Sequence, residues 1–520
     1  MYLLFPGRHI VTTQFQEEYL DRILGQEIAG LPDLLGAAPA GRVTDLVFAV
    51  TSSNKSNSRY NPLPFELRSI VIYEFARQWK RKYGANFHIV GIPHYQPTDK
   101  FMALMLKEIA EQTVAALELS SENTIVLSST PPVIAASRAL GYAVLPAEYD
   151  MAAQRYVHDV PTDLVRQIGT GEIGLEALGL SASARTVFSD LPEAGARIVR
   201  LYNDPILTED GDLTATRDYN TYASTMAEVI DLKYQAIKDY IIPGKIVDEG
   251  CADGALISRI VRDYPDSDII GIDLSAEMLA RAYEWKRAGA FGNAFVFFKQ
   301  QNLTTPVTES QANTSDTVIC NSTLHELWSY GHRAESVRSY LRDKHKQLRR
   351  GGRLVIRDVV GPHAADTPVQ LWCSAADGLT TGDYLTTPSS ELSTYSRFLK
   401  FQHDYSPRPI QHAPQGAADG DAPQFTLPLR DAMEFITKME YTDNWASEMH
   451  EEFGFWSFAD WERELKDAGF TLHPASHAYV NDWRVEHIFE GHVGLVDIDG
   501  KPLAWPVTNM VLVGEKGLGI

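Results

Sequence analysis

The chain has 520 residues, 44% hydrophobic and 22% charged, with 36 Gly and 27 Pro, a globular composition with length for about two to four domains. No stretch approaches the roughly 18 apolar residues of a membrane span and the apolar run at Met1 to Phe5 is too short for a secretory signal, so a soluble cytoplasmic protein with no membrane partner is expected. A formal charge of −21, from 47 Lys plus Arg against 68 Asp plus Glu, argues against nucleic acid as a partner. The basic stretches Lys80 to Lys82 and Arg342 to Arg353 lack the interleaved aromatics of a stacking groove.

Strand-like apolar runs open the chain at Tyr2 to Phe5, Asp45 to Val50, Asn86 to Ile92, Asn123 to Leu127 and Tyr142 to Leu145. Between them Pro64 to Tyr83, Lys100 to Leu119 and Pro131 to Leu140 carry apolar residues three and four apart, which predicts helices. The alternation predicts a parallel α/β domain over residues 1–180. Residues 181–224, with SASAR, NDPILTEDGD and RDYNTYAS, break the pattern with turn residues and acids and are read as a connecting segment.

A second alternation starts with a helical pattern from Ala223 to Tyr240. It continues through strands at Lys245 to Asp248, Ile269 to Ile272, Phe295 to Phe298, Thr317 to Cys320 and Arg353 to Arg357, predicting a doubly wound core over 225–360. Residues 361–456 interrupt it with an aromatic-rich, histidine-containing insertion, expected to be helical, whose Gln415 to Gln424 portion reads as a flexible loop. Residues 457–520 resume with a helix, Ser457 to Ala468, and two late strands near Thr471 to Val480 and Met510 to Val513, with DIDGKP as a hairpin turn between them. The fold class expected is α/β, with two doubly wound Rossmann-like domains.

Residues Ile246 to Gly254 read IVDEGCADG, and Asp273 follows in GIDLS at the end of the next strand. Small residues in a strand-to-helix turn let backbone amides approach a ligand, and an acid about 20 residues on accepts hydrogen bonds from ribose hydroxyls. A dinucleotide fingerprint would require GxGxxG, but Ala252 and Ala255 stand at its second and third glycines, and Gly250, Ala252 and Gly254 are two apart. This arrangement resembles the class I S-adenosylmethionine-dependent methyltransferases, whose first motif has the form VLDxGCGxG. SDTVICNSTL at 315–324 is similar to that family's fourth strand and exit, LRRGGRLVI at 348–356 to its LKPGGxLxI turn, and the late strands to its final antiparallel pair. The resemblance implies a seven-stranded sheet and S-adenosyl-L-methionine as cofactor. It assigns Asp248, Gly250, Cys251, Ala252, Gly254, Asp273, Leu274, Asn302, Leu303 and Asn321 to cofactor binding, with Ala252 replacing a glycine and Asn302 an adenine-contacting Asp. Cys251 and Cys320 are read as packed residues, and Arg353 and Arg357 as surface charges.

In the first domain, GRHIVTTQFQ follows the opening strand, and TSSNKSNSRYNPLPFELR follows the second. These resemble the HxGH nucleotidyltransferase superfamily, in particular nicotinamide mononucleotide adenylyltransferases, with VPTDLVR at 160–166 similar to its late phosphate-binding turn. The resemblance implies a nucleotide held by Arg8, His9, Thr13, Gln16, Asn61, Arg68 and Arg166. Thr13, Gln14, Phe15 and Gln16 fall on the four HxGH positions, so both histidines are missing; Gln16 offers no positive charge to phosphate, and Phe15 blocks where glycine permits close approach. The expectation is a degenerate nucleotide-binding domain without turnover, with His9 as the one substitute for a missing histidine.

Methyl transfer needs a positioned nucleophile and, for some acceptors, proton removal; no metal is expected. The three cysteines, Cys251, Cys320 and Cys373, lack CxxC spacing, so neither a disulfide framework nor a zinc knuckle is built from them. Catalytic candidates beyond the fourth and fifth strands are His325, chosen first as a base because an ordinary His titrates near neutrality, Glu326 and Asp358, with Tyr441 and His450 from the insertion. The acids Glu448, Glu451 and Glu452 are read as a solvated run. The exit CNSTL differs from the (D/N)PPY of exocyclic-amine methylation. The reading is a methyltransferase acting on a small molecule; the alternatives are a bifunctional nucleotidyltransferase/methyltransferase and a non-catalytic cofactor-responsive binding protein.

Overall fold

The computed structural model describes residues 1–520 except 38, 96–97, 157, 159, 172–178, 205–229, 293–294, 411–412, 416–423 and 518–520, and except the side chains of 413–415 and 424. Two compact units divide the chain, Met1–Gly211 and Asp212–Ile520.

In the first unit, β1 (Tyr2–Gly7) sends Leu3 and Phe5 to one face and Leu4 to the other. β2 (Asp45–Val50) divides Leu46, Phe48 and Val50 from Val47 and Ala49 in the same way. Burial on both faces belongs to a parallel sheet sandwiched by helices. With β3 (Asn86–Gly91), β4 (Thr124–Leu127) and β5 (Ala143–Leu145) these strands form an all-parallel sheet in the order β3-β2-β1-β4-β5. The helix Phe65–Tyr83 covers one face through Ile72, Phe75 and Trp79, and Phe101–Gln112 covers the other through Met102, Met105 and Ile109. The latter helix stops seven residues before the predicted Leu119 because Val114 and Ala115 turn to positive φ, which no helix continues.

The connecting segment starts later than Ser181. Ala182–Asp190 and Pro192–Tyr202 are helices that pack with Pro161–Thr170 around Leu164, Ile168, Val187, Phe188 and Ile198. Gly169 allows this close approach, since a Cβ there would enter the Tyr202 ring. These residues depart from the strand alternation because they form a purely helical layer of the first unit. From residue 205 onward the predicted connection, including RDYNTYAS, lies outside the described residues.

In the second unit β6 (Lys245–Glu249), β7 (Asp268–Asp273), β8 (Phe295–Gln300), β9 (Ser315–Asn321) and β10 (Leu348–Val359) pair in parallel. The chain then leaves this sheet for β11 (Pro368–Cys373), β12 (Ala413–Gln415) and β13 (Gln424–Pro428). It returns with β14 (Phe470–Leu472) and β15 (His477–Tyr479), leaves again for β16 (Val493–Val496), and closes with β17 (Asn509–Lys516). β17 runs antiparallel to β10, and β14 and β15 pair with its two ends. The order is β8-β7-β6-β9-β10-β17-β14, with β15 beside β17, so one short strand joins the seven expected. This is the Rossmann-like class I methyltransferase fold.

The insertion is not simply helical. β12, β13, β11 and β16 make an antiparallel four-stranded sheet. The helices Thr394–Asp404 and Leu429–Lys438 join its core through Phe398, Phe401, Phe435 and Ile436. Its fourth strand comes from beyond residue 456, and DIDGKP follows that strand, with Val496 bridging to Pro502, instead of joining the final pair. The loop predicted at Gln415 to Gln424 connects β12 to β13, and its residues 416–423 lie outside the described residues. Among the described residues no helix is long and apolar enough to cross a membrane.

Candidate active site

The turn after β6 coils tightly because three of its five residues take positive φ: Gly250 at 76°, Ala252 at 46° and Gly254 at 83°. A side chain at Gly250 would run into Thr323, so glycine there is required by packing as well as by backbone. The turn is tied to the end of β7. Gly250 and Cys251 donate their amides to the Ile272 carbonyl at 2.8 and 3.1 Å, and Ala252 donates to Asp273 Oδ2 at 2.8 Å. Asp273 Oδ1 accepts the Ser275 amide at 2.8 Å, and Ser275 caps the helix Ala276–Arg287. Gln301 donates its amide to the Asp273 carbonyl at 3.0 Å, bringing Asn302 and Leu303 to the same edge. Asn302 is buried, with Oδ1 accepting the Thr304 amide.

Asp248, the penultimate residue of β6, is fully enclosed, and its Oδ2 has no hydrogen-bond partner. Burial, then the charges of Asp273 and Glu249, push its carboxyl up to about 7, while burial raises Asp273 to about 6. An orphaned carboxylate oxygen and a nearby acid, beside a small-residue turn at a helix start, suit a ligand bearing positive charge and ribose hydroxyls. S-adenosylmethionine has both. Cys251 and Cys320 are packed, as expected, and burial pushes their thiols up, away from reactivity.

At the ends of β9 and β10 the structure brings His325, Glu326 and Asp358 together. Asp358 is a hub: Oδ2 accepts the Leu324 amide at 2.7 Å, while Oδ1 lies 2.7 Å from His325 Nδ1 and accepts the Val359 amide at 2.8 Å. The other ring nitrogen of His325, Nε2, faces Glu451 Oε2 at 3.5 Å, and Phe453 stands edge-on to the ring at 4.9 Å. Burial works against charge on His325, yet Asp358, then Glu451 and Glu326, carry its pKa up to about 9. The imidazole chosen for a near-neutral pKa is therefore an imidazolium at pH 7. Asn321 is half-buried at the same exit, its Oδ1 accepting from Ser322 Oγ at 3.2 Å.

Three further expectations need correction. Glu448, Glu451 and Glu452 are buried, not solvated. Glu451 accepts from the Tyr330 hydroxyl at 3.2 Å; Glu452 accepts from Trp328 Nε1 and pairs with Arg333 and Arg408. The clue in sequence was acids placed within an aromatic run, where burial must be met by partners. Arg357 is likewise buried instead of lying at the surface, whereas Arg353 is half-buried and paired with Glu515. His450 is exposed, unlike the buried His325, Glu326 and Asp358, with Nδ1 held on the Ala446 carbonyl at 2.7 Å. Tyr441 is placed closer, 6.2 Å from the Phe453 ring, where burial raises its phenol to about 12 and Arg484 donates to it at 3.4 Å. Lys233 was missed altogether. It is buried, drawn down to about 7 by burial and then by Arg357, and interacts with Asp358 and Glu326.

In the first unit the proposed nucleotide residues are mostly engaged in local structure. Thr13 and Gln16 form a capping box, each side chain accepting the other's amide at 3.0–3.1 Å, and Gln16 also donates to Glu148. His9 is buried on the Phe5 carbonyl, and burial lowers it to about 4. The guanidinium of Arg68 is fully buried and donates to the carbonyls of Arg8, Thr51 and Ser52, so it supports the loops instead of facing a phosphate. Arg8 donates to the Tyr60 carbonyl at 3.0 Å; Asn61 is buried; Arg166 is exposed on Pro161–Thr170.

The family described as "Methyltransferase domain" matches residues 244–392. Trans-aconitate 2-methyltransferase of Rhodopseudomonas palustris (strain HaA2) is 43% identical over 44 residues, which is 8% of this chain and 17% of that protein. This chain therefore spans under a fifth of the length of that curated relative. Among solved structures, an O-methyltransferase family protein from Burkholderia thailandensis is 14% identical with TM-score 0.30, over 59% of this chain and 61% of that one. An S-adenosylmethionine-dependent methyltransferase from Clostridium acetobutylicum ATCC 824 is 11% identical with TM-score 0.30, over 57% and 99%. With the family match added to the strand order and the turn at 250–254, residues 244–392 match a methyltransferase-domain family and carry the Rossmann-like sheet of that fold.

Proposed function

We propose that the chain transfers a methyl group from S-adenosylmethionine to a small-molecule acceptor held beyond the ends of β9 and β10. Bound cofactor supplies an electrophilic methyl on a sulfonium. What the chain contributes is alignment, and the observation that carries the reading is the Asp358–His325–Glu451 array set beside the cofactor turn, with Thr323 packed on Gly250. Glu434 accepts the amides of Phe453 and Gly454 at 2.8 and 3.0 Å, which pins this part of the insertion over His325. Trp328 stacks on Phe455 at 4.3 Å and meets Trp456 at 5.4 Å, adding an apolar wall that excludes water. Labelled cofactor incubated with fractionated small metabolites, trans-aconitate among them, tests the reading. Transfer to a low-molecular-weight product supports it; label only in RNA, DNA or protein overturns the small-molecule assignment. Asp273→Ala should weaken the cofactor about 10- to 150-fold through loss of a charge-assisted hydrogen bond, and unchanged calorimetric affinity would defeat the cofactor site.

The first unit is proposed to bind a nucleotide without turning it over. A cleft of about 650 Å³ beside the helix Gln14–Leu24 is lined by Phe15, Tyr19, Arg22, Tyr149 and His158, and Phe15 stacks on His158 at 3.9 Å. The capping role of Gln16 and the buried His9 favour binding over adenylyl transfer. Pyrophosphate release from ATP with nicotinamide mononucleotide should be absent; robust release would bring the bifunctional reading forward.

A further inference from the structure

We propose that His325, Glu326 and Glu451 form a binding site for a divalent transition-metal ion. One ligand atom from each lies within 4.8 Å of the others, and all three side chains are buried. Surface acids converge often without a metal, but here a His and two Glu arrive from two different parts of the chain, the helix Leu324–Tyr330 and the segment after Trp445–Glu448.

Two features of the surroundings match what metal ligands require. Asp358 occupies His325 Nδ1 at 2.7 Å, which orients the ring and leaves Nε2 as the ligating atom, the carboxylate–histidine arrangement found behind bound metals. Tyr330 donates to Glu451 Oε1 at 3.2 Å, which leaves Oε2 turned to the imidazole. The Nε2 to Oε2 separation of 3.5 Å is long for a hydrogen bond. It is close to the edge of about 3.4 Å spanned by two ligands at 2.0–2.1 Å from a tetrahedral ion. Nitrogen with two carboxylates suits zinc or manganese, and three protein ligands leave a position for an oxygen of a small molecule. Lys233, which interacts electrostatically with Glu326 and Asp358, and Arg357 are buried nearby, so the ion must compete with these cations for the carboxylates and displace the proton from Nε2.

The use of such an ion, to hold an acceptor oxygen, rests on the methyl-transfer reading; its binding does not. Untagged full-length protein, stripped with chelator, should retain about one equivalent of Zn²⁺ or Mn²⁺ per chain after reloading and gel filtration. Glu451→Gln and Glu326→Gln should each lower the affinity at least tenfold by calorimetry. Tyr330→Phe, which leaves every ligand in place, should lower it about 10- to 100-fold as a positioning change, while His450→Ala leaves it unaltered. Unchanged melting temperatures separate these effects from misfolding. Wild type that retains no metal, or metal retained equally by all variants, overturns the site and leaves His325 in a metal-free ion triad. Cofactor affinity measured on the same samples distinguishes the two readings: cofactor without metal defeats this proposal alone, and metal without cofactor defeats methyl transfer alone.

Discussion

Asp248 and Asp273 show how two acids at adjacent strand ends become sensitive to cofactor and pH. Burial raises both, to about 7 and about 6, whereas an unfolded Asp titrates near 4. Folding therefore takes up protons between about pH 4 and pH 7, and these two groups make the cofactor-free second unit less stable as pH rises through that window. A bound sulfonium and ammonium favour the ionised acids. Cofactor should accordingly bind more tightly at pH 8 than at pH 5.5, with proton release, and Asp248→Asn should flatten the dependence. Calorimetry in buffers of different ionisation enthalpy measures both, and an affinity independent of pH would remove these acids from the binding site. Ala252 gives a second test, since its φ of 46° puts an alanine where a left-handed residue is required. Ala252→Gly should relieve strain of about 1–2 kcal/mol, less the extra freedom of glycine in the unfolded chain, for a net gain of about 0.5–1 kcal/mol. A thermal melt that falls instead would mean the methyl group contributes packing.

At the level of elements, the helix Leu429–Lys438 controls the cover. Glu434 and Lys438 stand one turn apart with no exposed surface, 3.8 Å from one another. Lys438 donates to the Glu448 carbonyl at 2.9 Å and sits 3.4 Å above the Phe453 ring, while Glu434 holds the following amides. Removing one partner strands the other charge in the interior. Glu434→Ala should destabilise the second unit by about 3–5 kcal/mol in urea titrations. It should also slow transfer with little change in cofactor affinity, because the cofactor turn is held by a different set of contacts. Equal losses in both would show that the insertion supports the cofactor site directly.

Across the whole molecule, each unit has its own core. The first is built around Phe48, Phe75, Trp79 and the helical layer of Phe188, and the second around Ile246, Ile257, Ile319 and Val355. Units with separate cores unfold as separate cooperative transitions. Calorimetric scanning should resolve two, and cofactor at 100 times its Kd should stabilise one of them by about 2.7 kcal/mol while the other stays in place. ATP is expected to move the remaining transition if the first unit retains nucleotide binding. A single transition raised by either ligand would show that the units unfold as one.

Much of the fold was legible because parallel strands buried on both faces write continuous apolar runs, such as DLVFAV and TIVL, and because positive φ at 250 and 254 calls for glycine. Those are local signals, readable from neighbours in the chain. The cofactor turn was legible for that reason. The small antiparallel sheet was not, since Pro368–Cys373 pairs with strands that stand 51 or more residues further on, across helices that mask the pattern. The site around His325 was legible only in part. His325 and Asp358 stand at strand exits that the sequence marks, but the charge state of His325 depends also on Glu451, which lies 126 residues away along the chain. A pKa is set by what faces the group and how far water is excluded. Only the tertiary structure decides that, as it does the burial that turns three apparently solvated glutamates into partners and ties Arg68 to backbone carbonyls.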